Sequence, residues 1–156
     1  MHDELQFKTL IPCNLYGPFD KFDQMNAHLI PSIVAKIHDA KVNNKASVTV
    51  WGDGKARREF MFVGDLTNAI FKAVKDFSKL PDNMNIGAGF DHTILQYYEA
   101  VADIIGWSGA FEFDLSKPSG MRQKLCDISL QQEWGWTAET SLSQGISKTY
   151  EYFLEV

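Results

Sequence analysis

The chain is poor in cysteine, has no long apolar run and carries no excess of basic charge. Cys13 and Cys126 are its only cysteines, far apart and outside any C-x-x-C spacing, which argues against a disulfide framework and against a zinc or other metal site. No segment approaches the roughly 18–20 consecutive apolar residues of a membrane-spanning helix. The N-terminus reads MHDELQFK and lacks an apolar h-region, so no signal peptide is expected and a cytoplasmic location follows by default. A formal net charge of -5 lacks the basic field that broad nucleic-acid binding needs. Gly87 and Gly89 supply a G-x-G without the third glycine of a dinucleotide-binding turn, so that turn is missing too.

What is present describes a globular domain. Hydrophobic residues make up 45% of the 156 residues and charged residues 22%, enough for one real core. Apolar residues from Phe7 to Ile11 predict a strand stopped by Pro12, and 14–18 reads as a turn followed by a polar loop over 20–26. Pro31 with Ile30, Ile33, Val34 and Ile37 predicts a helix over 31–41. Val48 and Val50 alternate as in a strand, and 60–63 and 84–86 are further short strands. Asp65 is expected to cap a helix with Leu66, Ile70, Phe71, Val74 and Phe77 on one face. Thr93 and Gly106 bracket the next helix, 110–115 alternates as a strand, and 116–124 reads as a basic loop. Asp127 or Ser129 opens a short helix ending near Gly135, and Ser141 opens the last helix. Alternating strands and helices predict an α/β arrangement around a small sheet of three or four strands.

One stretch runs against the overall acidity. WGDGKARREFMFVGDL, residues 51–66, packs Lys55, Arg57 and Arg58 into four positions beside Trp51. Lys55 and Arg57 are expected to be solvated turn cations. Arg58 beside an aromatic face suits a bidentate anion contact.

Five segments in order carry a resemblance: NLYGPFDKF (14–22), His28-Leu29-Ile30-Pro31, WGDGKARREF (51–60), NIGAG (85–89) and SKPSGMRQKLCDIS (116–129). Over nearly the whole of 7–155 the chain resembles the C-terminal portion of the GDP-L-fucose synthase family, extended short-chain dehydrogenases/reductases. Related reductases of GDP-linked deoxy and heptose sugars share much of the pattern. The resemblance implies the end of a Rossmann-type cofactor domain over 1–30 and a substrate-binding α/β domain over 31–156. It implies NADP as cofactor, held mostly by a half that this chain lacks. It implies a GDP-linked keto-deoxy sugar as ligand, with a homo-oligomer or a complementing Rossmann chain as partner. No tyrosine is followed four residues later by lysine, so the catalytic pair of that family is missing and the chain alone is expected to be inactive.

The same resemblance assigns residues. His28 is implied as the acid of an epimerisation step, a role that a near-neutral imidazole suits. Pro12, Cys13, Asn14 and Leu15, with His28, are implied at the nicotinamide end of the cofactor. Asn14 could equally brace its own turn. Lys36, Trp51, Arg58, Ser119 and Lys124 are implied as substrate contacts, with the cations directed at the diphosphate and Trp51 offering a flat face to a base or sugar. His2, His38 and His92 have no such support. Three departures blur the sugar: Phe19 replaces a histidine, Gly64 an acidic residue and Ser119 an aspartate. A non-catalytic nucleotide-sugar-binding module, a split-enzyme subunit and a bare structural domain are the other readings.

Overall fold

Short parallel strand pairs alternating with helices organise the chain. The computed structural model describes residues 7–23 and 27–156. β1 (Thr9–Pro12) pairs with β6 (Asn83–Ile86), and β2 (Asn14–Tyr16) pairs with β5 (Phe60–Phe62), both in parallel. Pro12 is the last residue of β1, opposite Ile86, so the strand stops at the proline as expected. It is tolerated as the terminal residue of a strand whose other edge has no partner among the described residues. Of the turn expected over 14–18, residues 14–16 are a strand instead, and Cys13 N–H continues the ladder onto the Ile86 carbonyl at 2.9 Å. Of the polar loop expected over 20–26, residues 24–26 lie outside the described residues, as do residues 1–6.

Helix α1 (Leu29–Val42) buries Ile30, Ile33, Val34, Ile37 and Ala40, the spacing that the sequence predicted, with Pro31 in its first turn. β3 (Ser47–Trp51) pairs in parallel with β8 (Ala110–Asp114). Val48 and Val50 turn inward while Thr49 and Trp51 face out, as strand alternation requires. α3 (Ile94–Ile105) and α5 (Leu142–Glu155) both open on a capping box, Thr93 with Gln96 and Ser141 with Gln144. Gly106 closes α3 in the left-handed region at φ 72. α1, α3 and α5 pack together with β3 and Tyr16 into the larger core. Gly145 makes that approach possible: a Cβ there would collide with the Tyr16 hydroxyl.

A smaller core of Met61, Ala69, Ala73, Leu80, Met84 and Ile86 lies under α2 (Val63–Lys75). Two expectations fail at α2. Asp65 does not cap it; Phe62 is the N-cap, and the buried Asp65 carboxylate accepts from Thr140 Oγ1 at 2.9 Å and Thr140 N at 3.2 Å. Ile70, Phe71, Val74 and Phe77 stay exposed, because the helix rests on its small side, Ala69 and Ala73.

The single small sheet of three or four strands is also corrected. Nine strands among the described residues form four small sheets. One of these, ordered β7-β4-β9, is built from β4 (Arg57–Arg58), β7 (His92–Thr93) and β9 (Gln123–Lys124). The last two residues of the expected 116–124 loop are thus a strand. Two-residue strands carry no hydrophobic period, so only tertiary pairing defines them. α4 (Ser129–Glu133) is the expected short helix before Gly135.

Candidate functional site

β4 sends its two arginines to opposite faces of the three-stranded sheet. Arg57 is no solvated turn cation: its Nε donates to Asp91 Oδ1 at 2.7 Å and its NH2 to the Asp91 carbonyl at 2.8 Å. Asp91 is 9% exposed. Burial pushes its carboxyl up, but the hydrogen bonds from Arg57 and Gln123 outweigh that and hold it below the usual carboxylate range. Among the described residues the Arg58 guanidinium is held by backbone carbonyls alone, Nη1 donating to Arg57 O at 2.7 Å and Met121 O at 2.6 Å. Neither bond neutralises its charge, so of the two it is Arg58 that keeps a cation for a ligand. Tyr97, 1% exposed, donates its hydroxyl to the Arg58 carbonyl at 2.8 Å and anchors the strand from below.

Arg58 lines a pocket of about 320 Å³ with Asn14, Leu15, His28, Leu29, Phe60 and Ile94. Four residues singled out in the sequence, 14, 15, 28 and 58, thus meet although they come from three separate segments. His28 is the N-cap residue of α1, with its side chain 74% exposed and not used as a cap. Its Nδ1 faces the Asp20 carboxylate at 3.3 Å from Oδ1 and 3.4 Å from Oδ2. A carboxylate at Nδ1 favours the tautomer protonated there and leaves Nε2 for another partner. Asn14 does not brace its own turn: its Nδ2 donates to the Glu59 carbonyl at 2.8 Å, tying β2 to the segment after Arg58.

Leu29 and Ile94 also line a groove of about 760 Å³ that contains Lys36, Trp51, Ser32, Thr49 and Tyr98. Pocket and groove therefore adjoin. Trp51 is 62% exposed, with the Lys36 ammonium 5.3 Å from its ring centre and the Lys117 ammonium 5.6 Å away. Burial pushes Lys36 below the usual lysine value. Aromatic face and cations together suit a flat base attached to a phosphate chain.

The remaining residues lie around this surface. Ser119 packs on the Gly52 turn, where glycine holds φ 72 and an added Cβ would sit 2.9 Å from Ser119 Oγ. It lines a separate basic pocket with Lys55, Arg57 and Arg122 rather than the one holding His28. Lys124 is exposed on β9, directly in register with Arg58. Pro12 and Cys13 line none of these cavities. The Cys13 thiol is pushed up to about 12, by burial first and then by the charge of Glu59. Sequence reasoning passed over Asp20, Glu59, Asp91 and Tyr97. Glu59, 1% exposed, accepts from Gly89 N and Cys126 N at 2.8 Å each and pins two loops that frame the site. Its position inside WGDGKARREF was the only signal available.

NADP needs a phosphate-cradling turn, and no such turn follows any described strand. The pocket at Asn14, Leu15 and His28, about 320 Å³, has room for the nicotinamide end of such a cofactor.

Known proteins resemble this chain in sequence and in fold. The family model described as "NAD dependent epimerase/dehydratase family" matches residues 1–87. The chain is 52% identical over 151 residues to GDP-L-colitose synthase of Yersinia pseudotuberculosis, covering 97% of this chain and 49% of that protein. It is 50% identical to GDP-L-fucose synthase of Azorhizobium caulinodans, covering 95% of this chain and 47% of that protein. Among solved structures it matches a GDP-mannoheptose C4 reductase from Campylobacter jejuni with NADP bound, at TM-score 0.84 and 28% identity, covering 98% of this chain and 54% of that one. The chain spans about half the length of the relatives it matches.

Proposed function

The chain belongs to the NAD dependent epimerase/dehydratase family, and on that premise we propose that it is the substrate-binding half of an NADP-dependent epimerase/reductase acting on a GDP-linked 4-keto deoxy sugar. The observation that carries this reading is one continuous surface. It joins the pocket of Asn14, Leu15, His28 and Arg58 to the groove of Lys36 and Trp51 through Leu29 and Ile94.

The diphosphate lies between the Arg58 and Lys36 cations, which suit its two negative charges. The guanine takes the open face of Trp51. The keto sugar then reaches His28. Asp20 accepts at Nδ1 and orients the imidazole, and in the doubly protonated ring Nε2–H gives its proton to the sugar carbon during epimerisation, leaving the neutral ring with its proton on Nδ1. Lys124 adds a second cation beside Arg58, and Ser119 sits at the rim, on the Gly52 turn. NADP, when bound, supplies the hydride. Pro12, Cys13, Asn14 and Leu15 offer its nicotinamide end a short stretch of backbone, with residues 1–30 as the tail of the cofactor domain and 31–156 as the sugar-nucleotide domain. The two catalytic signatures missing from the sequence favour a second reading: a module that binds the nucleotide sugar without turning it over, or one subunit of a split enzyme. The heptose-sugar reductase among the relatives keeps another GDP-linked sugar in view.

For a partner we take a second copy or a complementing Rossmann chain. β1 has one open edge among the described residues, with Ile11 and Phe7 exposed beside it. Light scattering should then give a mass above that of the monomer, and a monodisperse monomer argues against self-association.

Calorimetric titration with GDP, on the parent chain and on Arg58→Ala, tests the function. Binding that weakens at least roughly tenfold in the variant supports it, since a charged hydrogen-bonding pair is worth about 1.5–3 kcal/mol. Binding unaffected by the substitution, or no binding even after a complementing Rossmann chain is added, overturns it. Turnover of a GDP-linked keto sugar in that mixture separates the enzyme from the module.

A further inference from the structure

Every residue from 115 to 125 is exposed, so no apolar burial holds β9 in place. Yet β9 lies in strict register with β4, Gln123 opposite Arg57 and Lys124 opposite Arg58. Register partners share a face of a sheet, so Arg58 and Lys124 stand side by side while Arg57 and Gln123 occupy the reverse face. On that reverse face Asp91 bridges the two strands. Its Oδ1 accepts from Arg57 Nε at 2.7 Å and its Oδ2 from Gln123 Nε2 at 2.6 Å.

We propose that Asp91 is a positioning residue: by clamping Arg57 to Gln123 it fixes β9, and so holds Lys124 beside Arg58 as a two-cation clamp for a diphosphate. The inference rests on the reading of Arg58 and Lys124 given above. Two like charges on adjacent strands repel, so their proximity without a ligand has to be imposed from elsewhere. The backbone contributes ladder bonds, among them Arg57 N to Arg122 O at 2.8 Å and Glu59 N to Lys124 O at 3.2 Å. No side-chain packing backs them on the β9 side, where residues 115–125 are all exposed. Beyond Lys124, Glu59 holds the Cys126 amide at 2.8 Å, so Asp91 and Glu59 staple the segment on either side of the lysine. Both carboxylates act from the face away from the ligand, where they do not compete with an anion for the two cations.

A double-mutant cycle with GDP as probe tests this. Asp91→Ala is expected to lower affinity roughly tenfold in the parent chain, and less than about twofold in a Lys124→Met background. An equal loss in both backgrounds means that Asp91 acts on the fold in general and overturns the proposal, as does no loss at all. Gln123→Leu keeps the Arg57–Asp91 pair and should reproduce the pattern if Asp91→Ala fails to fold. If the parent binds no GDP even with a complementing Rossmann chain, the functional reading fails separately, and amide exchange then decides the positioning. Faster exchange at Arg57 and Glu59 in Gln123→Leu, with Val101 in α3 unchanged, supports it. Unchanged exchange at all three overturns it.

Discussion

The Tyr97 hydroxyl donates to the backbone carbonyl of Arg58 at 2.8 Å, from a side chain that is 1% exposed. A residue of the α3 core thus sets the height of the strand that presents the site cation. Tyr97→Phe removes one buried hydrogen bond without opening a large cavity. Urea unfolding should show a loss of about 1–2 kcal/mol. An unchanged midpoint would show that the carbonyl finds water instead.

The adjacent arginines should separate function from stability. Arg57→Ala strands the Asp91 carboxylate and should cost about 1–3 kcal/mol in denaturant unfolding, discounted because the guanidinium is half-exposed. Arg58→Ala leaves Asp91 paired and should move unfolding by less than about 0.5 kcal/mol while weakening GDP binding. Equal stability losses would contradict the division of labour between the two faces of β4.

Both thiols should be inert near neutral pH. Burial first, then the charge of Glu59, pushes Cys13 up to about 12, and the same two causes raise Cys126. Because the thiolate is the reactive form, alkylation of Cys13 in the folded chain at pH 7.5 should run about a thousandfold slower than for an ordinary thiol. Glu59→Gln should speed it. Mass spectrometry after iodoacetamide reads both, and rapid labelling of folded parent protein would refute the expectation.

Stability should fall at both ends of the pH scale. Cys13 rises from 9.0 to about 12 and Tyr98 from 10.0 to about 12, burial being the first cause for each. A group with a raised folded-state pKa keeps its proton better when folded. Its contribution is complete below the unfolded value and is lost as pH climbs from about 9 to about 12. Asp91 is shifted the other way, so its contribution is present above 3.8 and lost as pH drops below that value. Denaturant midpoints across the pH range should show both limbs. Cys13→Ser should shrink the alkaline one.

Much of the fold was legible because its signals are local. α1 announced itself through Ile30, Ile33, Val34 and Ile37, and α3 through Thr93 and Gly106. α2 misled, since Ile70, Phe71 and Val74 mark an apolar stripe that stays on the outside while alanines face the sheet. The site residues came from ordered motifs rather than from periodicity. That is why Asp20, Asp91 and Glu59, which act through partners 8, 34 and 67 positions away, were not visible.

The sequence by itself determined the family, the α/β class, and a concentration of cations beside Trp51. The family follows from the likeness of five ordered segments to known proteins, the other two from residue order and spacing. Which of the cations is available was decided by the tertiary structure. Adjacent strand positions face opposite ways, so Asp91, brought in from the β6–β7 connection, takes Arg57 and leaves Arg58 to the pocket. The tertiary fold also set His28 in the same pocket as Arg58, across 30 residues of chain, because β2 and β5 lie side by side next to the start of α1.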